Sequence, residues 1–391
     1  MKRSTERILT THTGSLPRPA ALLSTVLAKE AGVPVDETKL DTQVRSGVEE
    51  IVRKQVDVGV DVVNDGELSK PSYATYVKDR LSGFGGPSSI AEVAADRMDL
   101  SEFQDFADQM AAMLAPAAKI KFAACDGPIS YTDLTAVEND IKNLKAALTG
   151  ASAEDIFMSA ASPGVIAMFF PNHYYPSEEA YLEAIASAMR AEYEAIHRAG
   201  IVLQLDCPDL AVPVVGVSSD EYRKNIELRV EALNHAVANI PAEAMRTHVC
   251  WGNGEFPRKH DVPLKDIIDI LLKAKPAGLM LMASNARHEH EWTVFQDVKL
   301  PDGKYLIPGV LDSTSNVIEH PEVVAQRLSR YAGIVGRENV MAGTDCGFGT
   351  LAGMQIVAPS VVWAKFQAMA EGARLASQEL WHSPARQTVA V

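Results

Sequence analysis

His248 and Cys250 stand two residues apart in "RTHVCWGNG" (246–254), and Cys346 lies in "GTDCGFGT" (343–350). In an extended segment, side chains at i and i+2 project to the same side, so an imidazole and a thiolate at this spacing can reach one ion. Cys346, from another strand end, would complete a His-Cys-Cys set. Zinc accepts that mixture of imidazole and sulfur in tetrahedral geometry, and three protein ligands leave a fourth position for substrate. Taken alone, the H-x-C pair reads more simply as a buried thiol beside an incidental histidine, because free cysteine is among the most buried residue types.

The surroundings of the three residues bear on that choice. Polar residues recur where short apolar runs end. Asn64, Asp65 and Glu67 follow "DVV", Asp126 follows "KFAAC", and Asp206 ends "IVLQLD". Ser284 and Asn285 follow "LMLMA", Asp312 ends "PGVLD", and Asp345 precedes Cys346. In a barrel of parallel strands these ends share one rim, which is where active sites are built.

Positioning so many strand ends requires a repeated alternation of helix and strand. "SEEAYLEAIASAMRAEYEAIHRAG" (177–200) has helical spacing, an N-cap serine followed by acids, and a terminal glycine; "IVLQLD" follows as a buried strand. "SSDEYRKNIELRVEALNHAVANI" leads to "MRTHVC", "PLKDIIDILLKAKPAG" to "LMLMAS", and "HPEVVAQRLSRYAGIVG" to "NVMAGTD". Such alternation implies a parallel sheet. The expected fold is α/β, a (β/α)8 TIM barrel spanning 1–391 as one catalytic domain. Residues 83–118 and 139–176 are expected as helical or loop insertions, and 383–391 as a frayed tail. An open doubly wound sheet is the alternative, but no GxGxxG turn follows any expected strand.

The chain has 391 residues, 47% hydrophobic and 23% charged, enough apolar content for a large core. A net charge of −14 argues against nucleic acid or an anionic membrane surface as the main partner. No apolar run reaches bilayer-spanning length, and "MKRSTERILTTHTGSLPRP" lacks a signal-type apolar core, so a cytoplasmic location is expected. The four widely spaced cysteines, Cys125, Cys207, Cys250 and Cys346, suit reduced thiols better than a disulfide framework.

The ordered motifs resemble the catalytic barrel of cobalamin-independent methionine synthase and its shorter single-barrel relatives, which include epoxyalkane:coenzyme M transferase-like proteins. The resemblance runs over roughly residues 8 to 375 through "TTHTGSLPRP", "GVDVVNDGE", "GPISY", "AGIVLQLDCPDL", "HVC", "PGVLDSTSNVIEHPE" and "DCGFGT". It implies zinc held by His248, Cys250 and Cys346. It implies Ser15 as binder of an amino acid carboxylate, and Glu67 and Asp206 as binders of its ammonium group, an arrangement that charge-assisted hydrogen bonds would favour. His12 is a further candidate pocket group, and equally a structural one.

Three departures accompany the resemblance. Met282 stands where the synthases carry a glutamate zinc ligand; Glu289 and Glu291 are nearby acids that could substitute. Asp312 is retained on the acid-bearing strand, and Thr314 takes the place of the synthases' proton-donating histidine. Tyr131 replaces a tryptophan that stacks on folate. The function implied is zinc-dependent transfer of a methyl or other alkyl group to a thiol, homocysteine-type in preference, from a donor that includes a corrinoid or a pterin. The alternatives are an epoxide–thiol adduct enzyme of the coenzyme M type, a metal-free enzyme resembling uroporphyrinogen decarboxylase, and a binding protein that has lost catalysis. Homo-oligomerisation stays open.

Overall fold

The computed structural model describes residues 1–88, 102–114, 122–214 and 216–382. Its strands are β1 (Val62–Val63), β2 (Gly86–Ser88), β3 (Phe122–Ala124), β4 (Asp155–Ala161), β5 (Val202–Asp206), β6 (Met245–Val249), β7 (Gly278–Leu281) and β8 (Tyr305–Pro308). Six of them form one sheet in the order β1-β4-β5-β6-β7-β8. The pairings β1 with β4, β5 with β6 and β7 with β8 are parallel.

Two short extended segments add to the six. Thr10 bridges Ala342 in parallel, and residues 340–343 bridge β8 and the residue after it through Leu306↔Val340 and Gly309↔Gly343. The Val62 amide donates to the Thr10 carbonyl at 3.0 Å, so the order returns to β1 through eight segments. Eight strands with helical connections are the complement of a (β/α)8 barrel, and the fold is α/β of the TIM-barrel type.

The chain divides into two compact units. One comprises Met1–Ser69, Asn143–Met158 and Ala277–Val391; the other comprises Lys70–Lys142 and Ser159–Pro276. In the first, the helix Glu37–Asp57 starts where Asp36 accepts from the Lys39 amide, and it buries Leu40, Val44, Val48, Ile51 and Val52 at helical spacing. The helices Pro321–Val335 and Pro359–Ser377 lie close enough that a Cβ on Gly372 would sit 2.5 Å from Val324. In the second unit, Ser177 caps Glu178–Arg198 by accepting from the Ala180 amide, and Gly200, at φ 75°, turns the chain into β5. Ser218 caps Ser219–Ala236 in the same way.

Two sequence expectations need correction. The strand in "KFAAC" is not a barrel strand: β3 pairs antiparallel with β2. Asp126 therefore follows a strand of that two-stranded sheet, where it accepts from the Gly85 amide at 3.0 Å. Residues 139–176, expected as an insertion, contain β4, which is a member of the six-stranded sheet. Of the region expected to carry helices over 83–118, the helix Gln104–Leu114 is observed; residues 89–101 and 115–121, like the expected frayed tail 383–391, lie outside the described residues. Among the described residues, no helix is long and apolar enough to cross a membrane.

Candidate metal and substrate site

β5 and β6 set one half of the site by their register. Gln204 lies opposite Arg246, and Asp206 lies opposite His248. With a side-chain period of two, these four residues form two stacked cross-strand pairs on one face. His248 Nδ1 stands 3.4 Å from Asp206 Oδ1, and the same oxygen accepts from Gln204 Nε2 at 2.8 Å. Burial alone would lower the His248 pKa, but Cys250 and Asp206 outweigh it and raise it to about 10. Cys250 follows directly on β6 and is 3% exposed.

Cys346 is presented by the segment that follows residues 340–343. Its neighbour Asp345 accepts from the Ala283 and Ser284 amides at 2.8 and 2.9 Å, and from the Asn285 amide at 2.7 Å. This one carboxylate ties the end of β7 to the Cys346 segment. Burial pushes the Asp345 carboxyl up to about 7 against the pull of those amides.

The segment 345–349 also meets Ser15. The Phe348 amide donates to the Ser15 carbonyl at 2.8 Å, and a Cβ on Gly347 would lie 2.0 Å from Ser15 Oγ. Glycine at 347 is therefore what admits the serine. Arg18, unremarked in the sequence, reaches the Gly349 carbonyl at 2.8 Å and the Glu67 carbonyl at 3.1 Å. Among the described residues Glu67 is the non-glycine residue with positive φ, at 55°. Its amide donates to Asp65 Oδ1 at 3.0 Å. A left-handed conformation costs a side-chain-bearing residue about 1–2 kcal/mol, and the Arg18 and Asp65 contacts hold it there.

Ligand atoms of His248, Cys250 and Cys346 all lie within 4.8 Å of one another, and all three residues are buried. Imidazole and two thiols at that separation fit zinc by donor type. The other candidate donors are engaged elsewhere. Met282 is buried with Arg287 Nη2 at 3.7 Å from its sulfur. Glu289 pairs with Arg327 at 3.2 Å, and Glu291 with His288 Nδ1 at 2.9 Å. His290 is exposed.

A family described as "Cobalamin-independent synthase, Catalytic domain" matches residues 128–365. The chain belongs to that family. Named methionine synthases of Saccharolobus islandicus and Saccharolobus solfataricus are 26% and 25% identical to it, each over 95% of both chains. Among solved structures, a B12-independent methionine synthase from Shewanella, in complex with selenomethionine, matches with TM-score 0.72 at 20% identity, covering 96% of this chain and 99% of that one. A putative vitamin-B12 independent methionine synthase from Listeria monocytogenes gives TM-score 0.65 at 17% identity, covering 94% of this chain and 98% of that one.

In this family member the acid-bearing segment after β8 is held by charges that sequence reading missed. Asp312 Oδ1 accepts from the Thr314 amide at 2.9 Å and from its hydroxyl at 2.8 Å. The Asp312 amide donates to Glu319 at 2.8 Å, and Glu319 is paired with Lys365 at 2.9 Å. The Lys365 side chain is 0% exposed and that of Glu319 is 9% exposed. Removing one member of such a buried pair strands the other, so Lys365→Met is expected to destabilise the protein by about 3–5 kcal/mol. Lys365→Met/Glu319→Gln, which removes both charges but keeps an acceptor for the Asp312 amide, should recover most of that loss in urea unfolding. A single-variant loss below about 1 kcal/mol would show instead that water reaches Glu319.

Two other residues named from the sequence have structural partners. His12 Nε2 lies 2.8 Å from Gln55 Oε1, its Nδ1 accepts from the Gly14 amide at 3.2 Å, and its ring centroid is 5.3 Å from that of Phe157. One ring nitrogen thus meets the helix Glu37–Asp57 through Gln55, and the other meets the turn at Gly14. The Tyr131 hydroxyl donates to Glu192 at 2.5 Å, and Glu192 also takes Tyr76 at 2.7 Å and Arg80 at 3.1 Å. Arg80 in turn holds Asp140 at 2.6 Å. A cavity of about 1070 Å³ lies among the segments after β5 and β6, lined by Pro213, Tyr222, Arg258, Asp261 and Ile267 among others; none of the candidate site residues lines it.

Proposed function

We propose that the chain transfers a methyl group to the thiol of a homocysteine-type amino acid, with zinc held by His248, Cys250 and Cys346. The observation that carries this reading is the buried grouping of one imidazole and two thiols within 4.8 Å. Zinc held by this set would supply the Lewis acidity that keeps an acceptor thiol deprotonated near neutral pH. Two cysteine ligands would leave the acceptor sulfur electron-rich and able to attack carbon.

The remaining residues bind and orient. Ser15 would take the acceptor's carboxylate. Glu67 and Asp206 would take its ammonium, and they favour an amino acid over coenzyme M, which has none. Their burial, 2% and 3% exposed, strengthens such charge-assisted contacts. Asp312, oriented by Thr314, is the carboxyl group proposed to serve the donor's leaving group. Tyr131, fixed through its hydroxyl, would meet the donor with a phenol ring where a pterin-specific site has indole, so donors other than folylpolyglutamates come first.

The test is a screen of zinc-loaded protein with homocysteine or coenzyme M against methyl donors of several classes and small epoxides, read by mass spectrometry. Methionine formed from homocysteine supports the reading. A product with coenzyme M alone would replace it by the epoxide–thiol alternative, and no thiol alkylation with any donor would leave the binding-protein alternative.

A further inference from the structure

We propose that Gln204, backed by Arg246, is a positioning residue that fixes the His248 imidazole through Asp206. This rests on the zinc reading of His248 given above. An arginine side chain only donates hydrogen bonds. Arg246 Nε lies 2.8 Å from one end of the Gln204 amide, so that end is the oxygen Oε1. The other end, Nε2, is then fixed as a donor. It points to Asp206 Oδ1 at 2.8 Å and to Ser159 Oγ at 3.3 Å. The amide cannot be reversed without setting its NH2 group against the guanidinium and its carbonyl against a carboxylate.

The consequence passes to the next cross-strand pair. Asp206 Oδ1, held by Gln204, faces His248 Nδ1 at 3.4 Å. A carboxylate against one ring nitrogen keeps a proton on it, so the other nitrogen, Nε2, carries the lone pair offered to a cation. Gln204 and Arg246 are each 0% exposed and Asp206 is 3% exposed, so water does not compete for these bonds. Asp206 therefore has a second task besides facing a substrate ammonium: it selects the tautomer and the ring orientation of a metal ligand. Gln204 acts two residues away from it on the same strand and face, without touching the acceptor.

The test compares wild type with Gln204→Met and with Gln204→Met/Arg246→Met. The double variant removes both partners, which avoids leaving Arg246 without that acceptor should the single variant fail to fold. Zinc affinity is read by chelator competition, and the ligand field by the visible spectrum of the cobalt-substituted protein. The expected result is one zinc per chain at saturation, bound about 10–100-fold more weakly, with a shifted cobalt spectrum. Folded variants with wild-type affinity and an unchanged spectrum would overturn the proposal. A measurement on wild type needs no variant: nitrogen-15 NMR of the zinc-loaded protein should find His248 protonated at Nδ1, and metal bound through Nδ1 would refute it. If wild type itself binds no zinc, the proposed function fails, which is a different outcome from either.

Discussion

Cys250→Ser and Cys346→Ser are each expected to lower methyl transfer to homocysteine by roughly three orders of magnitude, about 4 kcal/mol of transition-state stabilisation. Serine nearly matches cysteine in shape, so the fold should survive, but a hydroxyl is a hard, protonated donor where the site offers soft anionic sulfur. Two ligands would remain, too few for a catalytic zinc site. Cys207→Ser is the matched control. Cys207 is equally buried, its thiol lies 3.4 Å from the Leu205 carbonyl, and burial pushes its pKa well up. It is outside the ligand grouping and should retain activity. Steady-state rates for the three variants, beside their circular dichroism, make the comparison. Equal losses in all three would point to packing rather than to metal.

The second large effect concerns acceptor recognition. Glu67→Gln is expected to raise KM for homocysteine by about 10–100-fold, as the loss of one buried hydrogen bond to a charged group would. The amide keeps the shape, and the Glu67 backbone bonds to Asp65 and Arg18 do not involve the replaced atoms. A mercaptoacid of similar length without the ammonium should be used poorly by wild type and no worse by the variant. That contrast separates recognition of the –NH3+ group from a general disturbance of the turn. A KM for homocysteine unchanged in Glu67→Gln would assign Glu67 to holding the turn alone.

How much of this was legible in the sequence depends on whether the signal is local. His248 and Cys250 could be paired because a period of two is a property of any extended segment, and Cys346 because it ends another strand. The helices announced themselves through caps such as Ser177 and through their apolar stripes. β4 was missed because "DIFMSAA" is buried along most of its length and lacks the alternation that marks a one-sided strand. β3 has the composition of a barrel strand, but its antiparallel pairing with β2 is long-range and leaves no local trace.

The same holds for the buried charges. Lys365 lies mid-helix and Glu319 in a loop 46 positions away, so nothing in either stretch reveals the pair. Gln204 reads as one polar residue in "IVLQLD", and Arg246 as an ordinary arginine within "MRTHVC". Only their opposition across β5 and β6 shows that they form a layer beneath Asp206 and His248. His12 was visible but ambiguous, since sequence cannot show that Gln55 and the Gly14 amide occupy its ring nitrogens.

The most direct test of the proposed chemistry is metal content by elemental analysis of protein purified without chelators, comparing wild type with Cys250→Ser, Cys346→Ser and Cys207→Ser. About one zinc per chain is expected in wild type and Cys207→Ser, as for one site with three protein ligands, and little in the other two. Wild type that is metal-free, and that takes up added zinc no better than the Cys250→Ser/Cys346→Ser double variant, would contradict the zinc-dependent mechanism.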